Sequence, residues 1–205
     1  MYKTLTSLTL TLALLSSCSQ PSASRTPTST PSAYVSDGQV PEGARLEAAV
    51  AAVEPYLKDG SPGTDGRLYP LYRQLKAGEN HFYTASEKEA EEKKQAGYIT
   101  EGKIGYLLAK PEDGTRPFYH LFGRNDHFYT TSHQEAVDAV QKYQYQFVNI
   151  SGFLYADKAP GTVPLYRHFN GSSHFYTTSS QESQSIPSSG WKLEGIAGYV
   201  PELHQ

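Results

Sequence analysis

The chain is poor in residues that carry covalent and redox chemistry. Its 205 residues include one cysteine, one methionine and one tryptophan. A lone Cys cannot close an internal disulfide, so any exported domain made from this sequence must hold together by burial. No apolar run reaches the roughly 20 residues that a membrane-spanning helix needs. No cluster of Lys or Arg extends beyond Lys93-Lys94, and the formal net charge is -3. That excludes nucleic acid as a partner, because phosphate binding needs a clustered cationic face. The patterns Gly-x-Ser-x-Gly, His-Glu-x-x-His and the phosphate-binding loop are all missing. Neither enzymatic activity nor a cofactor is therefore expected. What the chain has in abundance is tyrosine, 16 residues against 8 phenylalanines. Tyr joins a large apolar ring to a polar tip, which suits a half-wet interior or an adhesive surface.

The first 17 residues read as an export signal. Lys3 supplies the positive start, and Leu5 to Leu15 is an apolar stretch diluted by Thr. That is too short to cross a bilayer but fits the hydrophobic region of a signal peptide. Leu15-Ser16-Ser17-Cys18 follows. It resembles the lipobox of bacterial lipoproteins, in which a Cys receives diacylglycerol before cleavage. The resemblance implies lipidation at Cys18, anchorage in a lipid bilayer and an extracytoplasmic location at the outer membrane or cell surface. Ser19 rather than Asp after the Cys favours the outer membrane. Several acyl chains, at about 0.8 kcal/mol per buried methylene, make a stable anchor.

Residues 18–43 are rich in Ser, Thr and Pro and carry almost no apolar side chains. Such a segment cannot bury enough surface to offset chain entropy, so it reads as a disordered tether. Over residues 44–66 an amphipathic helix is expected first. Leu46, Ala49, Val50, Val53 and Leu57 recur at helical spacing from about Arg45 to Lys58, with Pro55 weakening the last turn. This helix is expected to cap the domain rather than dock on a partner. Gly60 to Gly66 then form a hinge.

Residues 67–202 hold three copies of one unit, 67–114, 115–161 and 162–202. Pro70-Leu71-Tyr72-Arg73 recurs as Pro117-Phe118-Tyr119-His120 and Pro164-Leu165-Tyr166-Arg167. His81-Phe82-Tyr83-Thr84 recurs as His127-Phe128-Tyr129-Thr130 and His174-Phe175-Tyr176-Thr177. Ser86, Ser132 and Ser179 each precede a Glu by three residues: Glu89, Glu135 and Glu182. The units close with Gly105-Tyr106, Gly152-Phe153 and Gly198-Tyr199.

The first two motifs are aromatic, Thr-bearing segments that suit strands, and the Gly- and Asn-containing stretches between them suit hairpin loops. Ser-x-x-Glu is a capping box, with Ser and Glu side chains each accepting a backbone donor. It predicts helices near 87–95, 133–142 and 180–186, the last cut short by Pro187. The aligned Gly102, Asn149 and Gly195 predict a turn before the closing strand. One unit is too small to bury its own face, whereas three can share a core. The expected fold is mainly β with short helices, a pseudo-threefold closed repeat domain like a β-trefoil.

The pattern Pro-Leu-Tyr-Arg, His-Phe-Tyr-Thr-Thr-Ser, Gly190-Trp191 and Glu194-Gly195-Ile196 resembles an uncharacterised repeat family of bacteria and fungi (domain of unknown function 5648). The third unit carries the match best. The second departs most, with His120 for Arg, Gln144 for Gly and Val148 for Glu. Members of that family are often appended to secreted hydrolases, so the resemblance implies an accessory binding module for glycans or cell-wall polysaccharide. An alternative is a structural or protein-interaction lipoprotein of the envelope.

Side chains alternate along a strand, so each His-x-Tyr pair shares one face while the Phe between them turns to the other, which is expected to be core. The His-Tyr face has three readings. It is structural; or it lines binding pockets with Tyr or Trp rings for stacking and Arg or His for hydroxyls; or its three His hold a zinc ion. The binding reading nominates Tyr72, Arg73, His81, Tyr83, His127, Tyr129, Tyr166, Arg167, His174, Tyr176 and Trp191.

Overall fold

A computed structural model of the protein describes residues 37–58, 66–78 and 80–202. The expected signal peptide, Cys18 and residues 19–36 of the tether lie outside the described residues, as do residues 60–65 of the expected hinge. Among the described residues no helix is long and apolar enough to cross a membrane. The chain runs α1 (Gly43–Leu57), β1 (Leu68–Leu75), β2 (His81–Thr84), α2 (Glu87–Gln95), β3 (Ile99–Leu108), β4 (Thr115–Gly123), β5 (Asp126–Thr130), α3 (His133–Tyr143), β6 (Gln146–Tyr155), β7 (Thr162–Phe169), β8 (His174–Thr177), α4 (Ser180–Ser185) and β9 (Lys192–Pro201). A single 3-10 turn, Ile186–Ser189, follows α4 with Pro187 in its first turn. The proline lacks the N–H that would continue the α-helical ladder, so α4 stops where the sequence places the break.

Each unit is thus strand, strand, helix, long strand, and the three repeat one register. Tyr72, Tyr119 and Tyr166 pair with Thr84, Thr130 and Thr177 across the hairpins. On their other side, Pro70, Pro117 and Pro164 pair with Tyr106, Phe153 and Tyr199. The tightest hairpin turns through Arg124 and Asn125, both at positive φ (53° and 60°). That is the two-residue turn whose twist matches the flanking strands. The expected turn at Gly102, Asn149 and Gly195 is corrected. These residues lie inside β3, β6 and β9, opposite Arg73, His120 and Arg167, where the register slips. The column marks a β-bulge, so the closing strands begin about five residues earlier than expected.

The β-trefoil-like closed expectation is also corrected: the fold is mainly β, but its antiparallel sheet is open. Its path runs β2-β1-β3-β6-β9-β7-β8, with the β4–β5 hairpin branching from β6. The physical reason is the shortness of the joints. β3 meets β6 through Leu108 and Phe153 alone, and β6 meets β9 through Tyr155 and Tyr199 alone. At these joints the strands pass so close that only glycine fits. A Cβ on Gly105 would lie 2.6 Å from Val200, one on Gly152 2.9 Å from Leu107, and one on Gly198 2.0 Å from Leu154. Each unit's glycine receives a side chain of the preceding unit in cyclic order.

A second cycle ties the inner strands. β2, β5 and β8 each pair with one neighbour only and so present unpaired backbone on their free edge. Tyr residues satisfy it. The Tyr83 hydroxyl donates to the Tyr176 carbonyl (3.1 Å) and accepts from the Tyr176 N–H (2.7 Å). The Tyr176 hydroxyl does the same to Tyr129 (2.7 and 2.8 Å), and the Tyr129 hydroxyl to Tyr83 (2.8 and 3.1 Å). The rings meet edge to face at 5.2–5.7 Å, the arrangement their quadrupoles favour. All three tyrosines are fully buried, and burial pushes their hydroxyl pKa values far above the ordinary phenol value. The core round them takes Phe118, Leu71, Leu121 and Leu165 from the first strand of each unit.

Helix α1 forms as expected and packs on the repeats, burying Ala49, Val53 and Leu57 at spacing i, i+4, i+8. Five residues before it, Gly38 bridges to Phe147 of β6, whose N–H donates to its carbonyl at 2.9 Å.

Replacing one hydroxyl of the tyrosine cycle strands a buried N–H and a buried carbonyl, at roughly 1–3 kcal/mol for each orphaned group. Tyr129→Phe should therefore lower unfolding free energy by about 2–4 kcal/mol in urea denaturation. A loss below 0.5 kcal/mol would show that the cycle is dispensable.

Candidate functional site

The strongest polar feature outside the tyrosine cycle is a set of charged clusters at the boundaries between units. Its glutamates come from the helix caps. Ser86, Ser132 and Ser179 each accept the backbone N–H of the Glu three residues on, at 3.1–3.2 Å. The reciprocal half of the capping box is missing. The Ser N–H groups donate instead to Thr84, Thr130 and Thr177, at 3.0 Å each. The expectation that capping accounts for these glutamates is corrected, because their carboxylates are left available for other partners.

Two of them bind an arginine of another unit. Arg167 of β7 donates twice to Glu135 of α3, both at 2.8 Å, and its Nε faces Glu194 of β9 at 2.8 Å. Arg73 of β1 donates twice to Glu182 of α4 (2.8 and 3.1 Å), and its Nε faces Glu101 of β3 at 2.9 Å. Each guanidinium also lies over a Phe ring, Arg167 over Phe128 at 5.2 Å and Arg73 over Phe175 at 4.9 Å. A planar fork between two carboxylates and an aromatic face is arginine-specific geometry, which lysine cannot reproduce. Burial alone would raise the Glu135 and Glu182 pKa values, but the arginine bonds outweigh it and hold both below the ordinary carboxylate value.

The third boundary is built differently. Unit two has His120 in place of the arginine and Val148 in place of the second glutamate. His120 Nε2 instead contacts His127 Nδ1 at 2.9 Å and stacks on Tyr129 at 4.4 Å. Glu89, without an arginine, accepts the hydroxyl of Tyr56 from α1. Lys93 covers Phe82 at 4.5 Å. Helix α1 therefore fills the slot that the missing arginine leaves.

Beside the Arg167 cluster opens a groove of about 550 Å³. Arg167, His174, Glu135 and Glu194 line its polar side, and Tyr143, Tyr145 and Phe169 its aromatic side. His174 is held by Asp126, a fully buried side chain. Asp126 accepts from the His174 backbone N–H at 2.8 Å, contacts His174 Nδ1 at 2.5 Å, and accepts the Tyr145 hydroxyl at 2.6 Å. Burial, then the Asp126 carboxyl, drives the Tyr145 phenol pKa strongly upward. Tyr143, at the rim, is 56% exposed.

The nominated residues divide accordingly. Arg167 and His174 meet in this groove. Arg73, His81 and Trp191 gather at the boundary of units three and one, with His81 Nε2 3.2 Å from Glu101 and Trp191 beside Phe175 at 5.7 Å. Tyr72 lines a separate shallow depression with Thr100 and residues of α2, and Tyr166 sits half-buried in the matching place on unit three. Tyr83, Tyr129 and Tyr176 are taken by the central cycle, and His127 is 5% exposed. Burial removes these four from the set that can meet a ligand. Phe82, Phe128 and Phe175 lie in the core as expected, at 1%, 5% and 3% exposure, but the strands are packed on both sides, so most of the His-Tyr face is buried as well. The zinc alternative is corrected too. Tyrosines occupy the centre, and among the described residues no group of three His, Cys, Asp or Glu is placed to hold a metal ion. The binding reading nominates neither Tyr143, Tyr145, Phe169, Glu135 and Glu194 in the groove nor the buried Asp126 that holds His174. The paired loss of Arg and Glu in unit two is the signal that could have revealed the Arg–Glu clusters.

Residues 67–201 match the family model described as Domain of unknown function (DUF5648). No curated protein and no solved structure matches the chain.

The His120–His127 pair makes stability depend on pH. Burial first, and Lys93 second, push the His127 pKa down to about 3. Burial, then His127 and Lys93, hold His120 well below the ordinary value. Above pH 6.5 both imidazoles are neutral in folded and unfolded chains alike. Below it the unfolded chain takes up protons that the folded pair refuses, so stability falls by up to about 1.4 kcal/mol per pH unit for each imidazole. The Glu135 and Glu182 contributions disappear only below pH 4.5. Urea midpoints should therefore drop steadily from pH 6.5 to 4.5, and His120→Leu/His127→Phe should flatten that slope. An equal slope in the variant would assign the loss elsewhere.

Proposed function

We propose a function from one premise: this chain belongs to the DUF5648 family. It acts as an extracytoplasmic binding module for glycans, anchored to the membrane by lipid on Cys18. The observation that carries this reading is the groove at the boundary of units two and three. Its volume of about 550 Å³ falls within the range of small-ligand sites. Its chemistry suits a sugar. Tyr143 offers a half-exposed ring for the apolar face of a pyranose, and Phe169 and Tyr145 extend the aromatic wall. Arg167, Glu135 and Glu194 hold one another in fixed positions, so donors and acceptors for hydroxyls are already oriented and little ordering cost remains on binding.

The arrangement favours binding over turnover. Arg167 donates twice to Glu135 and faces Glu194, and the groove's one hydroxyl beside a carboxylate, Tyr145 on Asp126, is held protonated by burial and by that carboxylate. Tyr143 and Tyr145 come from unit two, and Phe169 and most of the polar side from β7–β9 of unit three, so the site needs both units in register. At the third boundary the corresponding space is taken by Tyr56 and Lys93.

Two measurements test the proposal. Isothermal titration with peptidoglycan fragments and neutral oligosaccharides should find a saturable ligand whose affinity falls at least tenfold in Tyr143→Ala, with the melting temperature unchanged. Silence across such a panel removes the glycan reading. Separately, Cys18→Ser should move the protein expressed in a diderm host from the detergent phase to the aqueous phase in Triton partition. A detergent-phase variant would place the anchor elsewhere.

A further inference from the structure

The three units share one outer face built in the same register, and they treat it differently. In unit two this face consists of Tyr119, Phe147 and Ile150, with Tyr119 opposite Ile150 and Leu121 opposite Phe147 across the ladder. All three are buried, at 3%, 2% and 3% exposure. Part of their cover comes from the chain's own residues 37–57. Gly38 bridges to Phe147, Glu42 reaches His133 at 3.7 Å, and α1 then runs along β6. In unit one the corresponding positions are Tyr72, Thr100 and Lys103. Thr100 and Lys103 are polar, and the Lys103 ammonium lies over the Tyr72 ring at 5.7 Å. That face is finished for water.

Unit three has Tyr166, Leu193 and Ile196 in these positions. It keeps the apolar character of the covered face without a cover. Leu193 is 54% and Ile196 47% exposed, and among the described residues no segment bridges β9 as Gly38 bridges β6. Single exposed apolar residues are ordinary. Here, however, two of them stand beside a half-buried Tyr in a register where the sister unit buries all three.

We infer that the outer face of β9 docks an amphipathic segment of a partner protein, of the chemistry that residues 37–57 supply on unit two. The chain carries the template for this occupant. One residue offers its carbonyl to the Leu193 N–H, as Gly38, at φ 83°, does to Phe147 at 2.9 Å. A helix then lays small and aliphatic residues at i, i+4 and i+8 along the strand, as Ala49, Val53 and Leu57 do. Such a segment combines strand addition with helix-in-groove recognition. A second copy of this chain is a poorer occupant, because its own α1 is already committed, with Leu57 fully buried. The inference stands apart from the glycan groove, since Tyr143 takes no part in it.

A synthetic peptide of residues 37–58, titrated into the intact chain, tests the inference. Trp191 is the only tryptophan and lies two residues before Leu193, so its fluorescence reports occupancy. The expected result is a saturable one-to-one change. It should weaken at least tenfold in Leu193→Asp/Ile196→Asp, whose exposed positions leave the melting temperature unaltered, and should persist in Tyr143→Ala. Three results overturn the inference. One is no saturable change at the highest soluble peptide concentration. A second is undiminished binding to Leu193→Asp/Ile196→Asp, which would mean that the peptide displaces α1 from unit two. The third is an intact chain that sediments as a dimer and becomes monomeric in that variant, which would make the occupant a second copy.

Discussion

Backbone groups on the inner strands must find partners, and everything else in this fold is arranged around how they do so. β2, β5 and β8 have one neighbour each, so one row of N–H and C=O groups per strand faces inward. A buried orphan of this kind is among the costliest defects a core can hold. A closed barrel would satisfy the row with a further strand. Here each Tyr hydroxyl serves as both donor and acceptor for the next Tyr's backbone, and three residues close the cycle. The sheet can then stay open, because side chains provide the closure that strand pairing does not.

From that centre the asymmetry works outward. The Arg–Glu clusters repeat at two boundaries, and the third replaces Arg with His and Glu with Val. An ion pair lost as a unit leaves no stranded charge in unit two, which is why both partners change together. The one glutamate left over, Glu89, belongs to unit one and is taken by Tyr56. The His120–His127 contact and the seating of α1 are thus two consequences of a single local departure. The groove beside Arg167 lies at a boundary that keeps the Arg–Glu pattern shared by units one and three.

Much of this was legible in the sequence. The three helices after Ser86, Ser132 and Ser179 follow from capping chemistry, and α1 follows from periodicity. Repetition showed three equal units but not how they join. The His-x-Tyr alternation left structural, binding and zinc readings open, and packing on both sides of the strands puts Tyr83, Tyr129, Tyr176 and His127 in the interior. The Gly102, Asn149 and Gly195 column read as a turn because glycine signals a backbone irregularity without naming it, and here it is a bulge. Asp126 and Tyr145 could not be found from spacing. Their partner His174 lies 48 residues on from Asp126 in the next unit, and no local pattern links them.

Three near-identical units carry a hazard of their own. A hairpin that fits its own neighbours fits those of another chain almost as well, so exchange of units between molecules is an ever-present misassembly. Helix α1 gives the chain an orientation mark. It seats where Glu89, without an arginine, takes the Tyr56 hydroxyl, and where that hydroxyl also meets Asn149 in place of the glycine found in the sister strands. A wrongly ordered or borrowed unit offers it no such place. The irregular unit, by breaking the symmetry, tells the folding polypeptide which repeat is its own second one.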